Sequence, residues 1–253
     1  MRRTVIYDGG TFEITARELL FSVIIVILML TAGFFIGEKI ASAADERNQE
    51  YEQAAKIDCD KELFEYGMRT DIGNAFVSGT LKAVDPVSLP EIDGEYAYIR
   101  KVKEKYTRHE RTVTDYDEDG NVTGHHTETY YTWDSAGHEE FACTHITFLD
   151  NEFDYGVIPF PGSRHLTTIK ESSKVRYQYY VCDMEYAGTI YAKLADKTIS
   201  DVTFIENKGV NDAVEYMCNS SVVGVVAFWI FWIVLICAAV YGFCYLDNRW
   251  VED

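Results

Sequence analysis

Two long stretches without a charged residue constrain the fold of this 253-residue chain more than any other feature. Residues 19–37 form a run of 19 uncharged residues, and residues 221–246 form a second run of 26. About 20 apolar residues in a helix span the hydrocarbon core of a lipid bilayer, which is roughly 30 Å thick. Both runs are apolar all round, unlike an amphipathic helix that lies on a membrane surface. The sequence therefore predicts two transmembrane helices, with the lipid bilayer as a partner.

The acidic character of the chain belongs to the region between the two runs. The whole chain has a formal net charge of −18, and residues 40–220 contain 34 acidic and 18 basic residues, a net charge of −16. Proteins that bind nucleic acids hold the phosphates with lysine and arginine. The charge therefore argues against a nucleic acid as partner.

The expected orientation rests on a targeting motif and on the cysteines. Basic residues near the two runs are almost balanced, so the positive-inside rule decides little. Residues 41–43, Ala-Ser-Ala, are typical of a signal-peptidase site, and we interpret the first run as an uncleaved signal anchor. Cys59, Cys143, Cys182 and Cys218 are an even number, compatible with two disulfides outside the cytosol; four reduced, buried thiols are the alternative. We expect both termini in the cytoplasm and the central domain outside the cell membrane.

The predicted division of the chain follows from these runs. It consists of a cytoplasmic N-terminal tail (1–18), transmembrane helix 1 (19–37), a helical stalk (38–66), an extracytoplasmic β-rich domain (67–220), transmembrane helix 2 (221–246) and a cytoplasmic C-terminal tail (247–253). The stalk is predicted because residues 40–66 contain no Gly or Pro and are rich in good helix formers. The first helix should continue outward and end near Gly67.

The residues after the stalk have the pattern of a β domain. Runs of β-branched and aromatic residues alternate with turn sequences such as Asp93-Gly94. The predicted strands are 76–84, 95–105, 106–114, 122–133, 142–149, 153–160, 165–169, 174–181, 188–195 and 198–205. Short strands at this spacing indicate an antiparallel sheet, sandwich or barrel. The predicted fold class is an α+β membrane protein: two transmembrane helices, an inserted antiparallel β-rich extracytoplasmic domain and a helical stalk.

One hairpin can be predicted to the level of its register. Residues 101–114 and 122–133 are joined by the turn at Asp119-Gly120. If residues 118 and 121 flank that turn, Arg111 lies opposite Glu128 as a cross-strand pair of opposite charge. Both faces of the hairpin are polar over most of its length. We therefore expect it to project into solvent or to lie across a partner.

Pairs of small residues predict where the two membrane helices make contacts. In lipid, helices associate where small residues let the backbones approach closely. The pairs are Gly33 with Gly37, Ser220 with Gly224, and Ala238 with Gly242. An intramolecular helix pair or a homo-oligomer would use them. Trp229 and Trp232 lie near the predicted bilayer centre rather than at its surfaces, which indicates that this helix face meets protein.

An acidic turn is the strongest candidate for a metal site. Asp115, Asp117, Asp119 and Gly120 follow the D-x-D-x-D-G pattern of calcium loops, in which alternating carboxylates converge on one cation. The twelfth position is His126 instead of a bidentate glutamate, so a solvated acidic turn is the alternative. We therefore expect no cofactor, with calcium as the candidate if the turn does bind a cation.

Other chemical motifs are weak. His125, His126 and His138 are candidate zinc ligands, but adjacent strand residues point to opposite faces and the ligand spacings of known zinc motifs do not occur. The sequence also contains no nucleophile motif and no phosphate-binding loop. It therefore predicts no catalytic residue.

The central region resembles a group of uncharacterised two-span bacterial membrane proteins. The resemblance rests on residues 98–106, 128–134, 148–160 and 172–180 and covers about residues 94–206. More remotely, the order of a charged strand, a Tyr- and Trp-bearing strand and a closing β segment is similar to the beside-a-membrane domain of mitochondrial ubiquitin ligases and to LUMA-type transmembrane proteins. The chain lacks the ligases' cysteine-rich RING after the second span. The resemblance implies an architecture and no activity.

Three functional hypotheses follow. The first is a non-enzymatic integral membrane protein whose acidic extracytoplasmic β domain mediates protein-partner binding or self-assembly at the cell envelope. The second is a metal-dependent envelope hydrolase, with the acidic turn or the histidines as its metal site. The third is an accessory subunit of a channel or transporter that uses the small-residue faces of its helices.

Overall fold

The structure, a computed structural model, describes residues 5–8, 13–117 and 120–252. The helices are α1 (Ala16–Gln53), α2 (Lys61–Arg69) and α3 (Val210–Glu252). The strands are β1 (Val5–Asp8), β2 (Glu13–Thr15), β3 (Ala55–Asp58), β4 (Gly73–Ala83), β5 (Tyr98–Tyr116), β6 (Val122–Ala142), β7 (His145–Phe148), β8 (Asn151–Asp154), β9 (Arg164–Lys170), β10 (Val175–Cys182), β11 (Glu185–Ala195) and β12 (Thr198–Glu206). The chain forms a helical unit, residues 1–54 with 214–253, and a β unit, residues 55–213.

The helical unit contains both charge-free runs. By length and composition, α1 and α3 are two helices capable of crossing a membrane. Their outer surfaces expose large apolar side chains, such as Leu28 and Phe231. The two helices make contact where Gly33 lies against the Trp232 indole, and the indole Nε1 donates a hydrogen bond of 3.0 Å to the Met29 carbonyl. A Cβ atom at Gly33 would overlap the indole ring.

The predicted stalk helix across residues 38–66 is wrong beyond Gln53, where α1 ends. The next residues form β3, which pairs in parallel with β4 and brings Ile57 opposite Val77. Ile57 is buried in the core of the β unit. A second helix, α2, then begins after Asp60, whose side chain accepts a hydrogen bond from the Leu63 amide as an N-cap. Burial against a distant strand overrides the local helix propensity of this segment.

The β unit contains a six-stranded sheet and a four-stranded sheet. The six-stranded sheet runs β12-β11-β4-β7-β8, with β3 also paired to β4. Its main core packs under α2, where the rings of Phe64 and Phe148 meet edge to face at 6.0 Å between centroids. The four-stranded sheet runs β6-β5-β10-β9 and has a smaller core around Ile99, Tyr179 and Val181. Apart from β3, all strand pairs are antiparallel, as predicted.

Strands β5 and β6 form one continuous hairpin of 19 and 21 residues, longer than the separate strands predicted. Arg111 lies opposite Glu128, which confirms the predicted register. Strand β10 pairs with β5 only as far as Lys105, opposite Val175. Residues 106–116 of β5 and 122–133 of β6 therefore form a two-stranded extension, here called the ribbon. At about 3.3 Å per residue the ribbon is about 35 Å long.

A β-bulge sets how the ribbon continues from the four-stranded sheet. Val102 pairs with His138 but Glu104 pairs with Ser135, so β6 has one residue more than β5 at this point. Gly137 in the bulge has a φ of +125°, a backbone conformation that favours glycine. The bulge accommodates the extra residue, so paired residues of β5 and β6 share a face on both sides of it.

Candidate partner-binding surface

Four side chains form a row of ring contacts on one face of the four-stranded sheet and ribbon, here called the aromatic–arginine patch. The rings of Tyr106 and Tyr131 stack with centroids 5.3 Å apart, and Trp133 lies 5.2 Å from Tyr106. The guanidinium carbon of Arg176, on β10, lies 4.3 Å from the Trp133 ring centroid. The patch forms because Tyr106 pairs directly with Trp133 across the hairpin, and paired residues share a face.

A half-buried ion pair holds Arg176 under the indole. Arg176 Nε donates a hydrogen bond of 2.6 Å to Glu104 Oε2, and Gln178 Nε2 donates one of 2.7 Å to the same oxygen. The Tyr180 hydroxyl in turn donates to Gln178 Oε1 at 2.5 Å. The side chain of Glu104 is 15% exposed and that of Arg176 is 25% exposed. The contacts within the chain alone therefore hold Arg176 in place.

The opposite face of the ribbon carries a line of charged pairs. His109 Nε2 lies 2.6 Å from Asp134 Oδ2, and Arg111 donates to Glu128 through Nε and Nη2. Nearer the turn, His126 Nδ1 lies 2.8 Å from Asp115 Oδ1. The hydrogen bond to Asp115 raises the pKa of His126 above its ordinary value. These pairs add cross-strand contacts to the backbone hydrogen bonds that join the two strands of the ribbon.

The structure gives the carboxylates of the predicted calcium turn other partners. Asp115 contacts His126, and Asp117 accepts hydrogen bonds from the backbone and side-chain amides of Asn121 at 2.8 and 3.2 Å. Asp119, the third predicted ligand, lies outside the described residues. In the part of the chain that the structure describes, no three His, Cys, Asp or Glu side chains form a group that could hold a metal ion.

The histidines considered for zinc are also separated. The His125 ring nitrogen lies 3.2 Å from the Thr114 hydroxyl, on the ribbon face opposite to His126. His138 lies at the bulge and has its nearest carboxylate contact with Glu140, at 3.7 Å. The three rings therefore do not converge on one point.

The six cysteines are all free thiols, so the predicted disulfides are absent from the structure. Cys143 and Cys182 are buried on either side of Ala97: the Cys143 amide donates to the Ala97 carbonyl, and the Ala97 amide donates to the Cys182 carbonyl. Two strand spacings of about 4.8 Å separate this pair, more than a disulfide spans. Burial raises the pKa of Cys182 to about 11, which keeps it a thiol at neutral pH. Cys59 lies in a turn of the β unit, and Cys218 lies in α3.

The helix-packing predictions have a divided outcome. Gly33 and Gly37 do pack closely within the chain: a Cβ atom at Gly37 would lie 2.9 Å from Trp229 Cζ2. Trp232 lies against Gly33 and Trp229 against Gly37, which confirms that this face of α3 contacts protein. Gly224 and Gly242 face open space, and their pair members Ser220 and Ala238 are exposed. The packing predicted at those four positions is therefore not formed between α1 and α3.

A shallow cavity of about 320 Å³ lies where β5 begins and β10 ends, at Tyr98 and Cys182. It is lined mainly by aromatic and proline side chains, including Tyr98, Tyr155 and Phe160. Burial, and then a hydrogen bond with Glu140, raise the pKa of Tyr98 to about 12, so this hydroxyl is a donor and not a base at neutral pH. The lining offers no pair of groups suited to acid–base catalysis.

Sequence reasoning missed Arg176 as a member of the patch and Glu104 as the carboxylate that holds it. Both belong to predicted strands, but their contact joins residues 72 positions apart. Comparisons with known proteins found no matching family model, no matching curated protein and no matching solved structure. The resemblance to two-span bacterial membrane proteins therefore stays a prediction, and the geometry of the patch carries the functional argument.

Proposed function

We propose that this chain is a non-enzymatic integral membrane protein whose β unit binds a protein partner, or another copy of the chain, at the cell envelope. The two long apolar helices support the membrane part of the proposal. Their exposed Leu, Ile, Val and Phe side chains would be unfavourable in water but are suited to lipid. We retain the orientation with both termini cytoplasmic and the β unit extracytoplasmic.

The aromatic–arginine patch is the single observation that carries the binding function. Trp, Tyr and Arg are the residues most enriched among those that dominate binding energy at protein interfaces. Tyr106 is 40% exposed and Tyr131 is 52% exposed, so much of each ring is free to contact another protein. The network around Glu104 fixes the arginine against Trp133.

The alternative of a metal-dependent hydrolase has less support. Such a site needs several converging ligands and an open coordination position. Asp115 and Asp117 instead accept hydrogen bonds from groups of their own hairpin. A functional calcium site remains a separate proposal, which a calcium titration of the purified protein followed by NMR of the Asn121 side chain would test.

Site-specific photo-cross-linking in intact cells tests the binding function. A photo-reactive phenylalanine replaces Tyr131 in the full-length chain, and a matched variant carries it at Tyr66, which is 50% exposed on α2. We expect a cross-linked adduct from position 131 that is absent from position 66. Adding Trp133→Ala should remove the adduct, because the indole connects the tyrosines with Arg176. Equal adducts from both positions, or an adduct that survives Trp133→Ala, would contradict the patch as the binding surface.

The membrane part has its own test. A Tyr131→Cys variant in intact cells should react with a membrane-impermeant maleimide, and the protein should stay in the membrane pellet after alkaline carbonate extraction. The chain without added cysteines gives the background labelling. Labelling at position 131 that requires permeabilised cells would contradict the orientation, and release into the supernatant would contradict membrane insertion.

A further inference from the structure

One edge of the ribbon has backbone groups that no strand pairs among the described residues. The Tyr106 amide donates to the Lys174 carbonyl at 2.9 Å, so even-numbered residues of β5 direct their N–H and C=O groups away from β6. Strand β10 provides partners only up to this point. Beyond it, the backbone groups of Arg108, Glu110, Thr112 and Thr114 point off the edge. An unpaired edge of this kind is a template for another strand.

The charges along this edge strand are arranged so that two copies of the strand, paired antiparallel, place basic residues opposite acidic ones. The first half is basic, with Arg108, His109 and Arg111 against a single Glu110. The second half is acidic, with Asp115 and Asp117. Between the halves lies the neutral triplet 112–114, Thr-Val-Thr, whose residues favour strands.

We propose that the free edge of β5 pairs with the same edge of a second copy of this chain, antiparallel and centred on Val113. In this register Thr112 lies opposite Thr114 of the second copy, and Arg111 lies opposite Asp115 of the second copy. Because the two-fold axis passes through Val113, each pair of opposite charges occurs twice. The two ribbons together form a four-stranded sheet.

Backbone and charges together restrict the register. Even-numbered residues must meet even-numbered residues for the backbone hydrogen bonds to form. Centring on Arg111 or Glu110 places two like charges opposite each other, and centring on Thr112 places Arg111 opposite Val113. Centring on Thr114 pairs Arg111 with Asp117 instead, and charge reversal at Asp115 separates that register from the one at Val113. The side chains needed for the register at Val113 are accessible, since that of Arg111 is 66% exposed and that of Asp115 is 45% exposed. Arg111 also has five donors, of which the contact with Glu128 uses two.

The proposal goes beyond the proposed function, because it uses the edge of the ribbon and not the face that carries the aromatic–arginine patch. It also gives the ribbon stability that the monomer lacks. A two-stranded hairpin without a third strand is marginally stable in water. The second copy adds strands and covers the exposed edge.

A cysteine at the proposed two-fold axis tests the pairing. In the full-length chain, with Cys59→Ser to remove an exposed thiol of the β unit, Val113→Cys would face its own copy at about 4.5 Å between Cα atoms, a disulfide distance. The matched control is His126→Cys, because His126 pairs with Val113 across the hairpin. Its two copies would be three strand spacings apart, about 14 Å.

Oxidation in native membranes followed by a non-reducing gel gives the result. We expect a disulfide-linked dimer from Val113→Cys and only the background of the Cys59→Ser chain from His126→Cys. Equal dimer from both variants would indicate random collision and overturn the proposal. A dimer from His126→Cys alone would assign the pairing to the β6 edge and also overturn it.

Charge reversal provides a test that a folding defect cannot imitate. In the Val113→Cys chain, Arg111→Asp places two carboxylates opposite each other, and Asp115→Arg places two guanidinium groups opposite each other. Each variant alone should form dimer on the order of tenfold less readily. Co-expressed with different tags, the two variants restore both opposite-charge pairs, and the mixed dimer should appear. Failure of the mixed dimer to appear would overturn the register.

The two proposals fail separately. In the Val113→Cys chain, Trp133→Ala removes the indole of the patch and leaves the edge intact. A dimer that persists in this variant supports edge pairing whatever the photo-cross-linking at Tyr131 shows. Loss of the dimer in a folded Trp133→Ala variant would overturn pairing through the edge alone.

Discussion

The two halves of β5 show how one strand can depend on two different sources of stability. Its first half, residues 98–105, has a strand on each side and contributes Ile99 to a buried core. Its second half, residues 106–116, pairs only with β6 and is held by stacked rings and charged pairs. The difference teaches that the ribbon depends on its backbone ladder and on side-chain contacts at its surface, and not on a buried apolar core. Its stability is therefore expected to be lower than that of the first half.

The strongest test of this contrast is a pair of truncations to alanine. Ile99→Ala should lower the free energy of unfolding of the β unit by about 2–5 kcal/mol, because Ile99 is fully buried. Val122→Ala in the ribbon should change it by less than about 0.5 kcal/mol, because Val122 is 57% exposed. Urea denaturation of the full-length protein in detergent measures both. Similar losses from the two variants would contradict the contrast.

The second prediction compares how much two arginine–glutamate pairs contribute to the free energy of unfolding. Arg176→Met should cost about 1.5–3 kcal/mol, because it leaves the half-buried Glu104 carboxylate without its cation. Arg111→Met should cost less than about 1 kcal/mol, because its pair with Glu128 is exposed. The same denaturation experiment applies. An equal cost would mean that the ribbon pair is as well shielded from water as the pair under Trp133.

As the pH falls, protonation of Asp85, which lies in the β unit outside the ribbon, should lower the thermal stability. Hydrogen bonds from the Thr144 hydroxyl and the Thr144 and His145 amides lower the pKa of Asp85 from 3.8 to about 2. A carboxyl whose pKa is lower in the folded state stabilises the fold at pH values above its unfolded-state pKa. This stabilisation is lost as the pH falls through the folded-state pKa. We expect the melting temperature to fall between about pH 4 and pH 2, and less steeply in Asp85→Asn. An identical acid profile for the variant would exclude this carboxylate as a cause.

The smallest expected effect is on the stability of the ribbon, which should fall as the pH rises instead of as it falls. The pKa of His126 is raised above 6.5 by Asp115, so its contribution is complete below pH 6.5 and is lost as the pH rises through the folded-state value. Amide hydrogen exchange, corrected for its intrinsic pH dependence, should show lower protection of the ribbon as the pH rises above 6.5. The Asp115→Asn variant should lack this change. A ribbon that gains protection in the same range would show that the sign is wrong.

The predictable parts of the fold were those with a local signal. Charge-free runs predicted the two long helices, and the turn with its flanking charges predicted the hairpin register down to Arg111 and Glu128. The stalk prediction failed because residues 55–58 look helical alone and become a strand only when Ile57 is buried beside β4. The strand predicted at 153–160 ends at Asp154 in the structure, since β8 pairs only with the short β7.

The candidate surface was predictable only in part. Its tyrosines and tryptophan were visible as a strand sequence, and the ribbon was expected to project into solvent or across a partner. The position of Arg176 under Trp133 was not predictable, because it depends on the order of strands β6-β5-β10. Contacts across a sheet join residues far apart in sequence, and no periodicity along one strand encodes them.

The bulge at Gly137 gives β6 one residue more than its partner without exchanging the faces of the hairpin. Val102 pairs with His138 and Glu104 pairs with Ser135, so three residue steps in β6 match two in β5 and the pairs on both sides of the bulge share a face. Deleting Gly137 would therefore leave a regular ladder with the same pairs, and Trp133 would stay on the face that carries Arg176. A one-codon deletion at this position would reduce the bend and twist of the strand and keep the patch in place.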